Sequence, residues 1–356
     1  MIDPLNINIP LAEAPTPTRP DSPALPKRKL LQPSPEHPDD YILEIDNSSL
    51  EKFTTCPRSA ENYLIRSREA ARSSSATQFG KLFHTCVELS LINGYNDTTK
   101  TKQRELIAEH FLYNPCPPED YRTADQMVAI LDAYYRLYPT EQFEIYHDEN
   151  GHFVERPFKI ELCTIPINDV LIYHPQQLVA GYEKGNAQTL HVRNIHVFWT
   201  GRIDLLLRQS NSLWVLDHKT TSMGGDTYYN DFVLSQQTVG YTWAAQHITG
   251  QPVNGLILNA VIARKPTKTG RAIEFDRRPY LYSAERCAEW EENTKHIVGD
   301  FVSNLARGYF PMHTKWCMGK YGTCPYWDNC TLPPHQRLSD LASDHYRDVT
   351  WSPIND

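Results

Sequence analysis

The stretch Gly201-Arg202-Ile203-Asp204-Leu205-Leu206-Leu207-Arg208-Gln209-Ser210-Asn211-Ser212-Leu213-Trp214-Val215-Leu216-Asp217-His218-Lys219-Thr220 decides how the rest of the chain is read. Two runs of β-favouring residues flank Gln209-Ser210-Asn211-Ser212, a group of turn formers, so the spacing predicts a β-hairpin. With Ser210 and Asn211 at the turn, Asp204 falls opposite Asp217. Side chains alternate along a strand, so Asp217 and Lys219 share one face and Asp204 joins them. Ile203, Leu205, Leu207, Trp214 and Leu216 fill the remaining positions, as in strands buried on both sides.

Two carboxylates and a lysine on a buried hairpin are costly to desolvate without compensation. A divalent cation between Asp204 and Asp217 would supply it. Mg²⁺ suits the arrangement, because it keeps one or two carboxylates together with waters and phosphate oxygens. Lys219 would then orient or deprotonate a bound water, or stabilise charge developing on a phosphate. An Asp–Lys salt bridge on an exposed hairpin edge would carry the same residues, and D-x-K alone does not choose between the two.

Other residues extend the pattern. Upstream, in Gly80-Lys81-Leu82-Phe83-His84-Thr85-Cys86-Val87-Glu88, His84 and Glu88 are neighbours on one predicted helical face. Downstream, Gln237 and Tyr241 are related in the same way. The ordered set G-x-x-x-H-x-x-x-E, G-x-x-D, D-x-K and Q-x-x-x-Y resembles the RecB-like branch of the PD-(D/E)XK nuclease superfamily. That branch includes the AddB nuclease domain and the CRISPR-adaptation exonucleases. The resemblance spans residues 46–335, with Ile203 standing where the superfamily name implies proline. It implies a DNA nuclease using Mg²⁺ or Mn²⁺, with exonuclease action on single-stranded or end-containing DNA ahead of site-specific cutting. His84 becomes a third metal ligand beside Asp204 and Asp217, the His218 backbone carbonyl joins them, and Glu88 orients His84. Lys219 serves the attacking water, and Gln237 and Tyr241 lie near the DNA backbone.

The composition fits an ordinary globular chain: 356 residues, 40% hydrophobic and 22% charged. No apolar run is long enough to span a bilayer, and Met1-Ile2-Asp3-Pro4 opens without a basic or apolar leader. Eight cysteines without such a leader point to the cytoplasm, with thiols reduced or metal-bound. A net charge of −8 is awkward for a nucleic-acid enzyme, although a local basic groove can coexist with it. Arg264, Lys265, Lys268 and Arg271 form the clearest basic cluster, at a predicted hairpin tip. It reads either as a DNA-guiding loop or as a solvated turn.

Ten of the 26 prolines fall within the first 38 residues, so residues 1–45 are expected to be a disordered tail open to protein partners. Order is expected from Asn47, with Ser48 and Glu51 as a capping box. Helices are predicted over 101–113, 120–138 and Ala284–Arg307, and strands over Gln142–Tyr146 and His152–Leu162. Glu155, on the second of those strands, reads as a surface glutamate, with a place near the site as the alternative. The expected fold is a single α/β domain over residues 46–335, a restriction-endonuclease-like core with a central mixed β-sheet flanked by helices, followed by a 336–356 tail.

Cys317, Cys324 and Cys330 lie close together among Gly, Pro and aromatic residues, a loop able to wrap a metal. The resemblance supplies Cys56, in Cys56-Pro57-Arg58, as the fourth ligand of an iron–sulfur (4Fe–4S) cluster that staples the domain ends. Five residues separate Cys324 from Cys330, as in that family, but six separate Cys317 from Cys324 where two are common. Zinc therefore stands as the alternative metal. A non-catalytic DNA- or protein-binding module that keeps fold and cluster is the rival reading, but it gives no chemical reason for Asp217 and Lys219 together.

Overall fold

The computed structural model describes residues 30–349, apart from 71–74, 140, 142, 168, 173–187, 268–271 and 320–321. The principal elements begin with strands β1 (Leu31–Pro33) and β2 (Asp40–Ile45) and helices α1 (Asn47–Thr55), α2 (Ser75–Asn93), α3 (Asp97–Tyr113) and α4 (Ala124–Leu137). Strands β3 (Val154–Pro166), β4 (Asn194–Gln209) and β5 (Ser212–Thr221) follow, then helix α5 (Gln236–Thr249). Strands β6 (Val253–Ala263) and β7 (Ile273–Leu281) and helix α6 (Ala284–Arg307) complete the core.

One mixed sheet runs β1-β2-β4-β5-β6-β7, with β3 also paired to β4. β2 lies parallel to β4 and β5 parallel to β6; the other pairs are antiparallel. Side-chain alternation explains why helices cover both faces. Along β6, Leu256, Leu258, Ala260 and Ile262 enter the core shared with α1, α5 and α6, while Val261 and Ala263 enter the core built by α2 and α4. The expected α/β architecture is the observed one.

β4 changes partners along its length. Asn194–Ile203 pairs with β3, and the ladder to β5 runs from Leu205 to Gln209. Asp204 sits at the change. Beyond Leu216, β5 instead continues its ladder with β6.

Two expectations at the chain ends are corrected. Residues 31–45 are not a tail, since β1 and β2 belong to the sheet and Leu43 and Ile45 are fully buried. Proline density masked the apolar run Tyr41-Ile42-Leu43-Glu44-Ile45; residues 1–29 lie outside the described part. At the other end, strand Tyr346–Asp348 pairs with Arg68–Ala70, and helix Arg337–Leu341 precedes it. The cap of α1 also moves: Asp46 is the N-cap and exchanges bonds with Ser49, because the aspartate carboxylate reaches that N–H at 2.7 Å.

Candidate metal centre

The hairpin has the predicted register, with Leu205 opposite Leu216 and Gln209 opposite Ser212. Ser210 and Asn211 take φ of 48° and 66°, the pair of positive values that a two-residue hairpin turn needs to match strand twist. Where β4 and β5 part, the Asp204 carboxylate accepts the His218 backbone N–H at 2.7 Å. Asp204 and Asp217 are both buried.

Two motif glycines permit the close approaches that assemble the site. A Cβ at Gly80 would lie 2.8 Å from Thr220 Oγ1, so only glycine lets α2 settle this close to β5. A Cβ at Gly201 would crowd Phe158 at 3.0 Å and Tyr241 at 3.3 Å.

With α2 seated, His84 reaches the hairpin. Its Nε2 lies 2.9 Å from the His218 carbonyl oxygen. Its Nδ1 lies 3.3 Å from Glu155 Oε1 and 3.4 Å from Asp204 Oδ2. His84, Glu155 and Asp204 form a group whose candidate ligand atoms all lie within 4.8 Å of one another. The reading of Glu155 as a surface residue is thus corrected. Its φ of 46° is uncommon for a non-glycine residue, and this local backbone signal is invisible in a sequence. Glu155 also replaces Glu88 as the immediate partner of His84. Burial first and then Glu155 raise the pKa of Glu88.

Asp217 lies outside that three-ligand group. Its carboxylate oxygens are 2.9 and 2.8 Å from Lys219 Nζ. Burial pushes the pKa of both Asp204 and Asp217 upward, and Lys219 opposes this at each. Burial works against a charged His84, but Asp204 and then Glu155 outweigh it and raise its pKa to about 9. Burial likewise disfavours charged Lys219, yet Asp217 and Asp204 hold its pKa above the usual lysine value. The site is a compact set of charges, with Asp204, Asp217 and Glu155 facing His84 and Lys219.

Tyr241 and Gln237 both come from α5, and the Gln237 amide donates to the Tyr241 hydroxyl at 3.3 Å. Tyr241 lies edge-on to Phe158, with Lys219 and Asp217 as its nearest charges. Both residues therefore border the lysine side. The basic loop is only partly visible: Lys268 and Arg271 lie outside the described residues, and Lys265 is exposed. Arg264 pairs with Glu274 at 2.9 Å.

Three of the four predicted cysteines share one cavity, and the fourth, Cys330, packs with Cys324 against Tyr326, Leu341 and Tyr346. Cys56, Cys317 and Cys324 line one cavity of about 370 Å³ with His313 and Trp316. Cys56 Sγ accepts the His313 N–H at 3.5 Å. Burial and then Cys324 push the Cys330 thiol to about 11, with Cys56 also contributing. Cys86 and Cys287 are buried among apolar residues, as expected of ordinary thiols.

A mixed sheet covered by helices on both faces gathers His, Glu, Asp and Lys where two central strands part, an arrangement able to hold a divalent cation beside a lysine. The sequence profile of the PD-(D/E)XK nuclease superfamily matches residues 47–331, and the chain belongs to that superfamily. Among solved structures, the chain is similar to a candidate exonuclease from Eubacterium rectale, with 12% identity and a TM-score of 0.38, covering 82% of this chain and 89% of that one. It is also similar to SSO0001, with 11% identity and a TM-score of 0.21, covering 71% and 76%. No curated protein matches the chain. No helix among the described residues is long and apolar enough to cross a membrane.

Proposed function

We propose that the protein is a DNA nuclease of the RecB-like branch, acting as an exonuclease on single-stranded or end-containing DNA. The observation that carries this reading is the convergence of His84, Glu155, Asp204, the His218 carbonyl and the Asp217–Lys219 pair at the parting of β4 and β5. The donor set fits Mg²⁺ or Mn²⁺. His84, Glu155 and Asp204 each offer a ligand atom within 4.8 Å of the others, close enough for one divalent cation to be shared among them. His84, Asp204, Asp217 and the His218 carbonyl would hold the ion, with Glu155 adding a further carboxylate. Bound there, the ion would polarise a phosphate oxygen and acidify a water.

The chain's own residues prepare that chemistry. The His218 N–H keeps one Asp204 oxygen turned inward, so the carboxylate is oriented before anything binds. Lys219, held by Asp217, presents a fixed positive charge where an attacking water and the developing phosphorane charge would meet. Tyr241 and Gln237 border the same side and suit contact with a DNA backbone. Arg264, Lys265, Lys268 and Arg271 would guide the strand toward it, and protein partners would be recruited through the N-terminal segment. Cys56, Cys317, Cys324 and Cys330 suit a 4Fe–4S cluster joining the two ends of the domain, with zinc as the alternative.

The test is an assay of anaerobically purified protein on end-labelled single- and double-stranded DNA with Mg²⁺, Mn²⁺ or EDTA. Mononucleotides or short fragments released from ends only when metal is present support the reading. Binding without cleavage under every condition would favour the non-catalytic module, in which the Asp217–Lys219 contact is only a salt bridge.

A further inference from the structure

The side chain of His218 has no part in the chemistry proposed for the metal centre, yet it is buried beside it and held through one ring nitrogen by Asn259. It points away from Asp217 and Lys219, into the core between the sheet and helices α2 and α4. There it lies edge-on to Phe83 and Tyr134. His218 pairs with Asn259 on β6, and Asn259 pairs with Arg277 on β7, so the three occupy one row across adjacent strands. Their side chains are joined. Asn259 Nδ2 approaches His218 Nδ1 at 2.6 Å, and Arg277 Nε donates to Asn259 Oδ1 at 3.1 Å. The Arg277 guanidinium ends the row, gripping Glu141 at 2.6 and 2.7 Å and donating to the Tyr134 hydroxyl at 2.8 Å.

Such a row is expensive. Asn259 is fully buried, where an amide is tolerated only when its polar atoms are paired, and it meets His218, Arg277 and the Tyr134 hydroxyl. Its inner end fixes the ring of the residue whose two backbone groups face the metal centre. The His218 N–H holds Asp204, and the His218 carbonyl faces His84. An Asn259 amide donating to Nδ1 sets the ring's tautomer and rotation, and close packing passes that constraint to the peptide.

We propose that Asn259 and Arg277, anchored by Glu141, are positioning residues that hold the residue-218 peptide in register for metal binding. The inference rests on the metal-site reading, so its test separates the two. Mn²⁺ binding to the full chain is measured by titration calorimetry, without DNA and independently of activity, for wild type, Asn259→Leu, Arg277→Met and Glu141→Gln. The expected result is binding weakened about 10- to 100-fold in Asn259→Leu and Arg277→Met, the range typical when partners behind metal ligands are removed. Glu141→Gln keeps one acceptor for Arg277 but loses the ion pair, and should weaken binding less than either of the other two variants. In cleavage assays, turnover of Asn259→Leu and Arg277→Met should recover at saturating Mn²⁺ with an unchanged KM for DNA, which a general loss of structure would not produce. If Asn259→Leu does not fold, Arg277→Met, at the more exposed end of the row, carries the test. Wild-type affinity in a folded Arg277→Met or Asn259→Leu overturns the positioning role and leaves the metal site standing. Absence of Mn²⁺ binding by wild type overturns the site reading itself, and the positioning inference with it.

Discussion

Asp204 and Lys219 project from strands that continue on both sides and are paired into a six-stranded path, whereas Cys317, Cys324 and Cys330 sit on fragments. The cysteine segment consists of a three-residue turn Thr314–Trp316, paired two-residue strands Met318–Gly319 and Gly322–Thr323, and the five-residue helix Trp327–Thr331. The first site is framed by backbone ladders and two apolar cores. The second is held by short-range turn and hairpin bonds such as Cys324 N–H to the Cys317 carbonyl, and by a small apolar cluster of Tyr326, Leu341 and Tyr346. A site framed by a sheet can lose its ion and keep its shape; a site made of short pieces needs its metal to hold the pieces together.

The largest expected effect tests the framed site. Asp204→Ala and Asp217→Asn should remove cleavage altogether, and Lys219→Ala should lower turnover about 10²–10⁴-fold, while circular dichroism and thermal melting of the metal-free protein change little. A collapse of the fold in these variants would mean that the ladders do not carry the site.

Removing a cysteine should do the reverse. Cys56→Ser or Cys330→Ser should abolish the absorbance near ~400 nm of an iron–sulfur protein and lower the melting temperature, with activity lost because the ends of the domain come apart. A colourless wild type with stoichiometric zinc would replace iron and sulfide by zinc and keep the stapling argument. Full metal content in Cys56→Ser would remove Cys56 from the ligand set.

Protons should distinguish the sites as well. In the metal-free protein the folded pKa of His84, about 9, lies above its ordinary 6.5. Its contribution to stability is therefore complete below pH 6.5 and is lost as pH rises through about 9. Melting temperature of the EDTA-treated protein should fall across that window in wild type and stay flatter in His84→Gln. Because a metal-bound imidazole must be neutral, Mn²⁺ affinity should rise across the same window, by at most about 10-fold per pH unit for one displaced proton.

Smaller effects sharpen what the backbone contributes. Glu155→Gly should be more stable than Glu155→Ala by about 1 kcal/mol in urea unfolding, since glycine relieves the positive φ, while both bind Mn²⁺ more weakly than wild type. At the hairpin tip, Asn211→Gly should add about 0.4–1 kcal/mol without altering cleavage, because its φ of 66° is one that glycine adopts freely.

Much of the framed site is legible in the sequence for the same reason that it is rigid. Strand alternation and a two-residue turn fix Asp204, Asp217 and Lys219 relative to one another, and the resemblance of the ordered motifs points to His84. Glu155 escapes because its place depends on a backbone irregularity beside the point where β4 changes partners. The His218–Asn259–Arg277 row escapes because the pairing of β5, β6 and β7 is a long-range fact that no local period records. The strands at residues 31–45 escape because prolines around them imitate a tail, and only the parallel ladder to β4 shows otherwise. The four cysteines are found by composition and resemblance, and their convergence is visible only once the ends of the domain are folded together.

The partner change along β4 has a kinetic side. This strand joins residues near 40, near 160 and near 214, so its contacts close loops of very different lengths, and the parallel ladder to β2 spans about 150 residues of intervening chain. Such wide closures are slow steps in folding, and unpaired strand edges stay open until they finish. His84, Glu155 and Asp204 acquire their mutual distances only when β4 is docked, and Tyr241 must wait for α5, which follows β5 in the chain. Competence to bind the metal should therefore emerge late in refolding and in one step, together with the last strand pairing, rather than accumulate gradually from local pieces.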